Sequence, residues 1–114
     1  STAKMQYFMA TFKGRKARDE EFYGIARVYY DTKKPKQAIN AFSEAYKENH
    51  RNYRALYQLA KLSDDYYKDK KIAYKHYVKY IETFYDKDEG MANFVRNRIK
   101  EIKKTYFMKG ETLK

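Results

Sequence analysis

The stretch DEEFYGIARVYYDTKKPKQAINAFSEAYKENHRN, residues 19–52, carries the reading of the fold. Its packing residues Phe22, Ile25, Ala26, Tyr29, Ala38, Phe42 and Ala45 follow one another at steps of 3, 1, 3, 9, 4 and 3. Steps of three and four put side chains on one face of an α-helix, whereas a half-buried strand alternates at two. The step of nine contains Asp31-Thr32 and Pro35. Proline opens a helix at a position that needs no N–H, so the stretch predicts two helices joined by a short turn.

The pattern returns. Leu56, Leu59, Ala60, Ser63, Ala73, Tyr77 and Tyr80 are spaced 3, 1, 3, 10, 4 and 3, one turn residue longer. Met91, Phe94 and Val95 begin it a third time. Polar segments punctuate the repeats. Asp19-Glu20-Glu21 supplies an N-cap and an acidic first turn for the first helix, which suits the helix macrodipole. Glu48 to Asn52 reads as a turn, with the third helix reaching Leu62-Ser63. Asp69 reads as an N-cap, and Asp86-Lys87-Asp88-Glu89 as a capped entry to a last helix running from Gly90 to near Phe107. With 4 Gly and 1 Pro in 114 residues, breakers are few.

These residues resemble the tetratricopeptide repeat, a unit of two antiparallel helices with a period of about 34 residues. Phe22, Ile25-Ala26, Tyr29, Ala38, Phe42 and Ala45 stand where that family places a large apolar residue, Leu-Gly/Ala and Tyr on one helix and Ala, Phe and Ala on the next. The second unit departs at Ser63, in place of the Tyr, and at Tyr80, in place of the last small residue. Neither unit carries the terminal Pro, and His50 holds that place in the first. Ala26, Ala38 and Ala60 are expected to let helix backbones approach closely, with Phe22, Phe42 and Tyr77 filling the space between pairs. The resemblance implies an all-α fold, antiparallel helical hairpins stacked in a right-handed superhelix. The expected organisation is an N-terminal helix over 1–18 left from a preceding repeat, repeats over 19–52 and 53–87, a capping helix over 88–107 and a tail over 108–114. An ordinary helical bundle is the competing reading.

Composition removes several classes of function. With 26 Lys and Arg against 15 Asp and Glu the formal charge is +11. That charge sits at the ends: residues 1–18 carry +5, residues 96–114 carry +5, and the repeat body carries +1. Nucleic-acid binding, RNA above all, is therefore the alternative reading rather than the leading one. No zinc finger, aromatic sheet motif or Gly-turn recognition helix supports it. No Cys is present, so disulfides, thiolate nucleophiles and Cys-held zinc are excluded. No apolar run is long enough to span a bilayer. Tyr supplies 14 residues, so the core is expected to be built from rings. The Tyr- and Lys-rich style resembles bacterial proteins, and a soluble protein of cytoplasm or periplasm is expected.

No catalytic set assembles. His50 lies in a turn and His76 on a helix face away from the Ala73–Tyr77 stripe, neither beside a hydroxyl or acid at catalytic spacing. The Asp86–Gly90 segment fails as a calcium loop, because the Gly comes early and Asn97 stands where the bidentate Glu belongs. Asp64 and Asp65 read as helix-end residues. The expectation is no enzyme, no metal and no cofactor.

The expected function is a protein-interaction scaffold that binds an acidic, aromatic-containing or extended polypeptide in a concave groove. In the family's register the groove positions of the first repeat are Glu20, Tyr23, Gly24, Arg27 and Asp31. In the second they are Arg54, Tyr57, Gln58, Lys61 and Asp65, and in the third Glu89, Ala92, Asn93, Arg96 and Lys100. Arg27, Lys61 and Arg96 form a column of one sign, with Tyr23 and Tyr57 one helical turn before two of them. The peptide-binding residues so implied are Tyr23, Arg27, Tyr57, Gln58, Lys61, Asn93 and Arg96. The clamp by which some family members hold a C-terminal carboxylate is not matched, since its positions read Tyr23 and Arg27, Gln58, and Glu89 and Asn93. Met5, Phe8, Met9 and Phe12 form an apolar stripe suited to self-association.

Overall fold

The computed structural model describes residues 18–111 and residue 113. Residues 1–17 of the predicted N-terminal helix, with its Met5, Phe8, Met9 and Phe12 stripe, lie outside them, and its last residue, Arg18, opens α1 instead. The described residues form five helices and no strand: α1 Arg18–Asp31, α2 Pro35–Glu48, α3 Tyr53–Tyr66, α4 Lys70–Phe84 and α5 Glu89–Met108. The all-α reading holds. The chain divides into two compact units, Ser1–Ala55 and Leu56–Lys114.

In the first unit α1 packs on α2. Ile25, Ala26 and Tyr29 are buried on α1, and Ala38, Ile39, Ala41, Phe42 and Ala45 on α2. Tyr23 meets the Phe42 ring edge-on at 5.1 Å between centroids. The connection is three residues long, and Lys33 adopts φ 61°. The Lys34 N–H donates to the Tyr29 carbonyl at 2.9 Å and the Lys33 N–H to the Tyr30 carbonyl at 3.1 Å. This is the Schellman pattern, which ends a helix by turning one residue left-handed. Pro35 then opens α2.

Asp19 corrects the sequence reading. It lies inside α1 and is buried, and its carboxylate serves the far turn rather than its own helix start. It accepts from Asn52 Nδ2 at 2.8 Å and Asn49 Nδ2 at 3.2 Å. Asn52 also caps α3, accepting from the Ala55 N–H at 3.0 Å. Asn49 likewise accepts from the Arg51 N–H at 3.0 Å. One carboxylate thus ties the start of α1 to the α2–α3 turn.

The second unit holds the rest of α3 together with α4 and α5. Its largest fully enclosed side chains include Tyr77, Tyr80, Leu56, Ile102 and Val95. Asp69 caps α4 through the Lys71 N–H and Asp88 caps α5 through the Met91 N–H, as expected. α3 runs on to Tyr66, past the predicted end at Ser63. The extra turn carries Asp64 into the interior, where Arg98 and Tyr77 meet its carboxylate. α5 ends in a second Schellman motif, with Gly110 at φ 80°.

Candidate functional site

The implied groove residues fall in both units and are taken unit by unit. In the first, Glu20, Tyr23, Gly24, Arg27 and Asp31 all line one open cleft of about 600 Å³. They recur at three and four along α1, so they share a face, with Tyr23 at its edge also reaching the Phe42 ring of α2. The α2–α3 turn and the first turn of α3 form the other wall, contributing Arg51 and Arg54. Three guanidinium groups and two exposed carboxylates, Glu20 and Asp31, therefore share the cleft lining. Asp19 also lines the cleft but is spent on Asn49 and Asn52. Arg27 enters no ion pair among the described residues.

Gly24 lies at the middle of α1, where glycine costs a helix about 1 kcal/mol against alanine. Packing does not require it: a Cβ built there meets nothing within 4 Å. The small residue keeps the cleft open at its floor.

The second unit uses its implied groove residues differently. Tyr57 is buried, its ring 5.7 Å from Tyr80 and 6.0 Å from Phe94. Burial pushes its phenol pKa up, with the Asp88 carboxylate adding to the shift. Lys61 is half-buried with its ammonium over two rings, 5.3 Å from the centre of Tyr57 and 5.4 Å from Phe94. Such cation–π contacts hold the charge on the protein's own aromatic surface. Gln58 is half-buried. Asn93 and Arg96 are exposed, with a long contact of 3.4 Å from Arg96 Nη1 to Asn93 Oδ1. Of the implied groove residues, Lys61 of the basic column and Tyr57 one turn before it both pack on neighbouring rings.

The most developed polar cluster was missed. Arg98 grips Asp64 with two bonds, Nε to Oδ2 at 2.7 Å and Nη2 to Oδ1 at 3.0 Å. Tyr77 donates its hydroxyl to Oδ2 at 2.8 Å, and Lys70 Nζ stands 3.4 Å from Oδ1 while also donating to the Asp64 carbonyl. Glu101 takes the remaining side of Arg98 at 2.6 Å. Burial pushes the Asp64 carboxyl up, but the bonds from Arg98 and Tyr77 and the charges of Arg98 and Lys70 outweigh it and hold it below the usual carboxylate range. Burial and the Asp64 bond push the Tyr77 phenol up. A fully ionised, fully bonded carboxylate has no spare proton chemistry, so the cluster fastens α3 to α4 and α5. The available signal was a pair of opposite charges one period, 34 residues, apart.

His76 is half-buried, and burial with the nearby Lys75 charge lowers its pKa. Among the described residues no group of three or more His, Asp or Glu could hold a metal ion, and no helix is long and apolar enough to cross a membrane. Comparison with family models, curated proteins and solved structures finds no match to the chain.

Proposed function

We propose that the chain is a non-catalytic, tetratricopeptide-like module that binds an extended, acidic polypeptide through the cleft of its first unit. The observation that carries the reading is the gathering of all five first-repeat groove positions, Glu20 to Asp31, on one cleft. Arg27, Arg51 and Arg54 suit carboxylates, since guanidinium groups bind them through paired, charge-assisted hydrogen bonds. Tyr23 offers a ring for an apolar side chain, and open Gly24 lets a ligand backbone approach the helix. The repeat spacing supports the family reading.

The test separates folding from binding. Peptides are selected from a random library on the full chain, then titrated against the Gly24→Leu variant. A Cβ at this position meets nothing within 4 Å, so the substitution leaves the backbone undisturbed while its side chain occupies the cleft, and replacing glycine inside α1 should stabilise the helix by about 0.5–1 kcal/mol. The selected peptides should be rich in Asp and Glu and should bind the variant at least about tenfold more weakly, as expected from a steric block in a desolvated contact. Equal binding to both proteins would sink the cleft reading. Steeply salt-dependent RNA binding, with no peptide recovered, would favour the nucleic-acid alternative.

A further inference from the structure

The outer face of α5 is used by neither the core nor the cleft. Arg96, Lys100, Lys103, Lys104 and Phe107 recur at three and four along it, and all are exposed. They occupy one stripe about 16 Å long, at 1.5 Å per residue. The core-facing side of the same helix is separate and carries Ala92, Val95, Ile102 and Tyr106. None of the four cations joins an ion pair among the described residues; the acid on this part of the helix, Glu101, is taken by Arg98. The stripe ends on two large apolar side chains held in water, Phe107 at 80% and Met108 at 74% exposure. The Gly110 cap closes the helix directly behind them: the Gly110 N–H bonds to the Phe107 carbonyl at 2.9 Å and the Glu111 N–H to the Tyr106 carbonyl at 2.8 Å.

A row of cations in no ion pair among the described residues, ending in exposed apolar side chains, suits an anionic lipid surface, which draws clustered Lys and Arg to it. The cations meet headgroup charge while the apolar residues enter the acyl boundary. Nucleic acid would satisfy the cations but leave Phe107 and Met108 unexplained. We infer that the α5 stripe docks the protein on the surface of an anionic membrane, Arg96, Lys100, Lys103 and Lys104 reading the headgroups and Phe107 with Met108 inserting. This site is independent of the cleft. It holds the protein at a bilayer by its surface and needs no spanning segment.

Vesicle flotation of the full chain tests it. Vesicles of phosphatidylcholine alone are compared with vesicles of phosphatidylcholine and phosphatidylserine in equal parts, at low and high salt. The protein should float with the serine-containing vesicles at low salt and not with the neutral ones. Lys100→Gln, Lys103→Gln and Lys104→Gln together should lower partitioning about a hundredfold, since each cation near such a surface contributes a factor of about five. Phe107→Ser with Met108→Ser should lower it about tenfold while the charge is unchanged. All five side chains are exposed, so helical circular dichroism of the variants should match the parent. Absence of flotation with anionic vesicles overturns the assignment. So does flotation unchanged by either set of substitutions, or concentration-dependent self-association through Phe107 and Met108 in its place.

Discussion

Asp19 and Asp64 are both buried aspartates, yet one faces two carboxamides and the other a guanidinium, a phenol and an ammonium. Asp19 accepts from Asn49 and Asn52, and the bonds close a turn in the first unit. Asp64 accepts from Arg98 and Tyr77 with Lys70 alongside, and the bonds join three helices of the second. Neutral donors can be left to water at modest cost when their acceptor is lost. A partly buried guanidinium tolerates the loss less well, because Arg98 keeps only the exposed Glu101 as a charged partner. The two repeats share a hydrophobic spacing and diverge in what their polar groups are asked to hold.

The largest effect that would break this comparison lies at Asp64. Asp64→Ala should destabilise the protein by about 3 kcal/mol in urea melts, since Arg98 and Tyr77 lose their acceptor inside the unit. The same carboxylate sets a pH dependence. Its folded pKa lies below the unfolded value of 3.8, so its contribution is fully present above that pH and is lost as the pH falls through the lower folded value. The Asp64→Ala protein should therefore show a flatter loss of stability below about pH 4 than the parent. An acid transition unchanged by the substitution would show that the ion pair is not coupled to folding.

Asp19→Ala comes next, at about 2 kcal/mol, since the carboxylate's two bonds are lost but the amide donors Asn49 and Asn52 can turn to solvent. A cost equal to that of Asp64→Ala would erase the distinction between amide and cation partners. The smallest effect sharpens a second contrast between the units. α1 and α5 end in the same Schellman geometry, but the left-handed position is Lys33 in one and Gly110 in the other. A residue with a Cβ is disfavoured there, so Lys33→Gly should raise stability by about 0.5–1 kcal/mol in thermal melts. A fall would mean that the Lys33 side chain contributes more than its backbone costs.

Another pair belongs to one column of the repeat. Tyr29 and Ser63 occupy the same position in successive units, and each buries a hydroxyl without a partner among the described residues. The spacing marks both as core. It does not show that the smaller Ser63 precedes a buried aspartate while Tyr29 precedes the exposed Tyr30.

The sequence by itself determined the helices and most of their ends. Pro35, Asp69 and Asp88 act locally, through a fixed φ or a side chain within three residues of its partner, and such signals survive without a fold around them. Three-and-four spacing located the buried faces for the same reason, and it placed the cleft residues of α1 on one side. Only the tertiary structure decided what Asp19, Tyr57, Lys61 and Asp64 do. Each is polar or amphipathic and has at least one partner 13 to 37 residues away, although Tyr57 also lies one turn before Lys61 on the same helix. Whether such a group faces water, a ring or an opposite charge depends on how the turns bring helices together. A one-residue shift along a helix moves a side chain by about 100°, enough to exchange a ligand-facing position for a buried one.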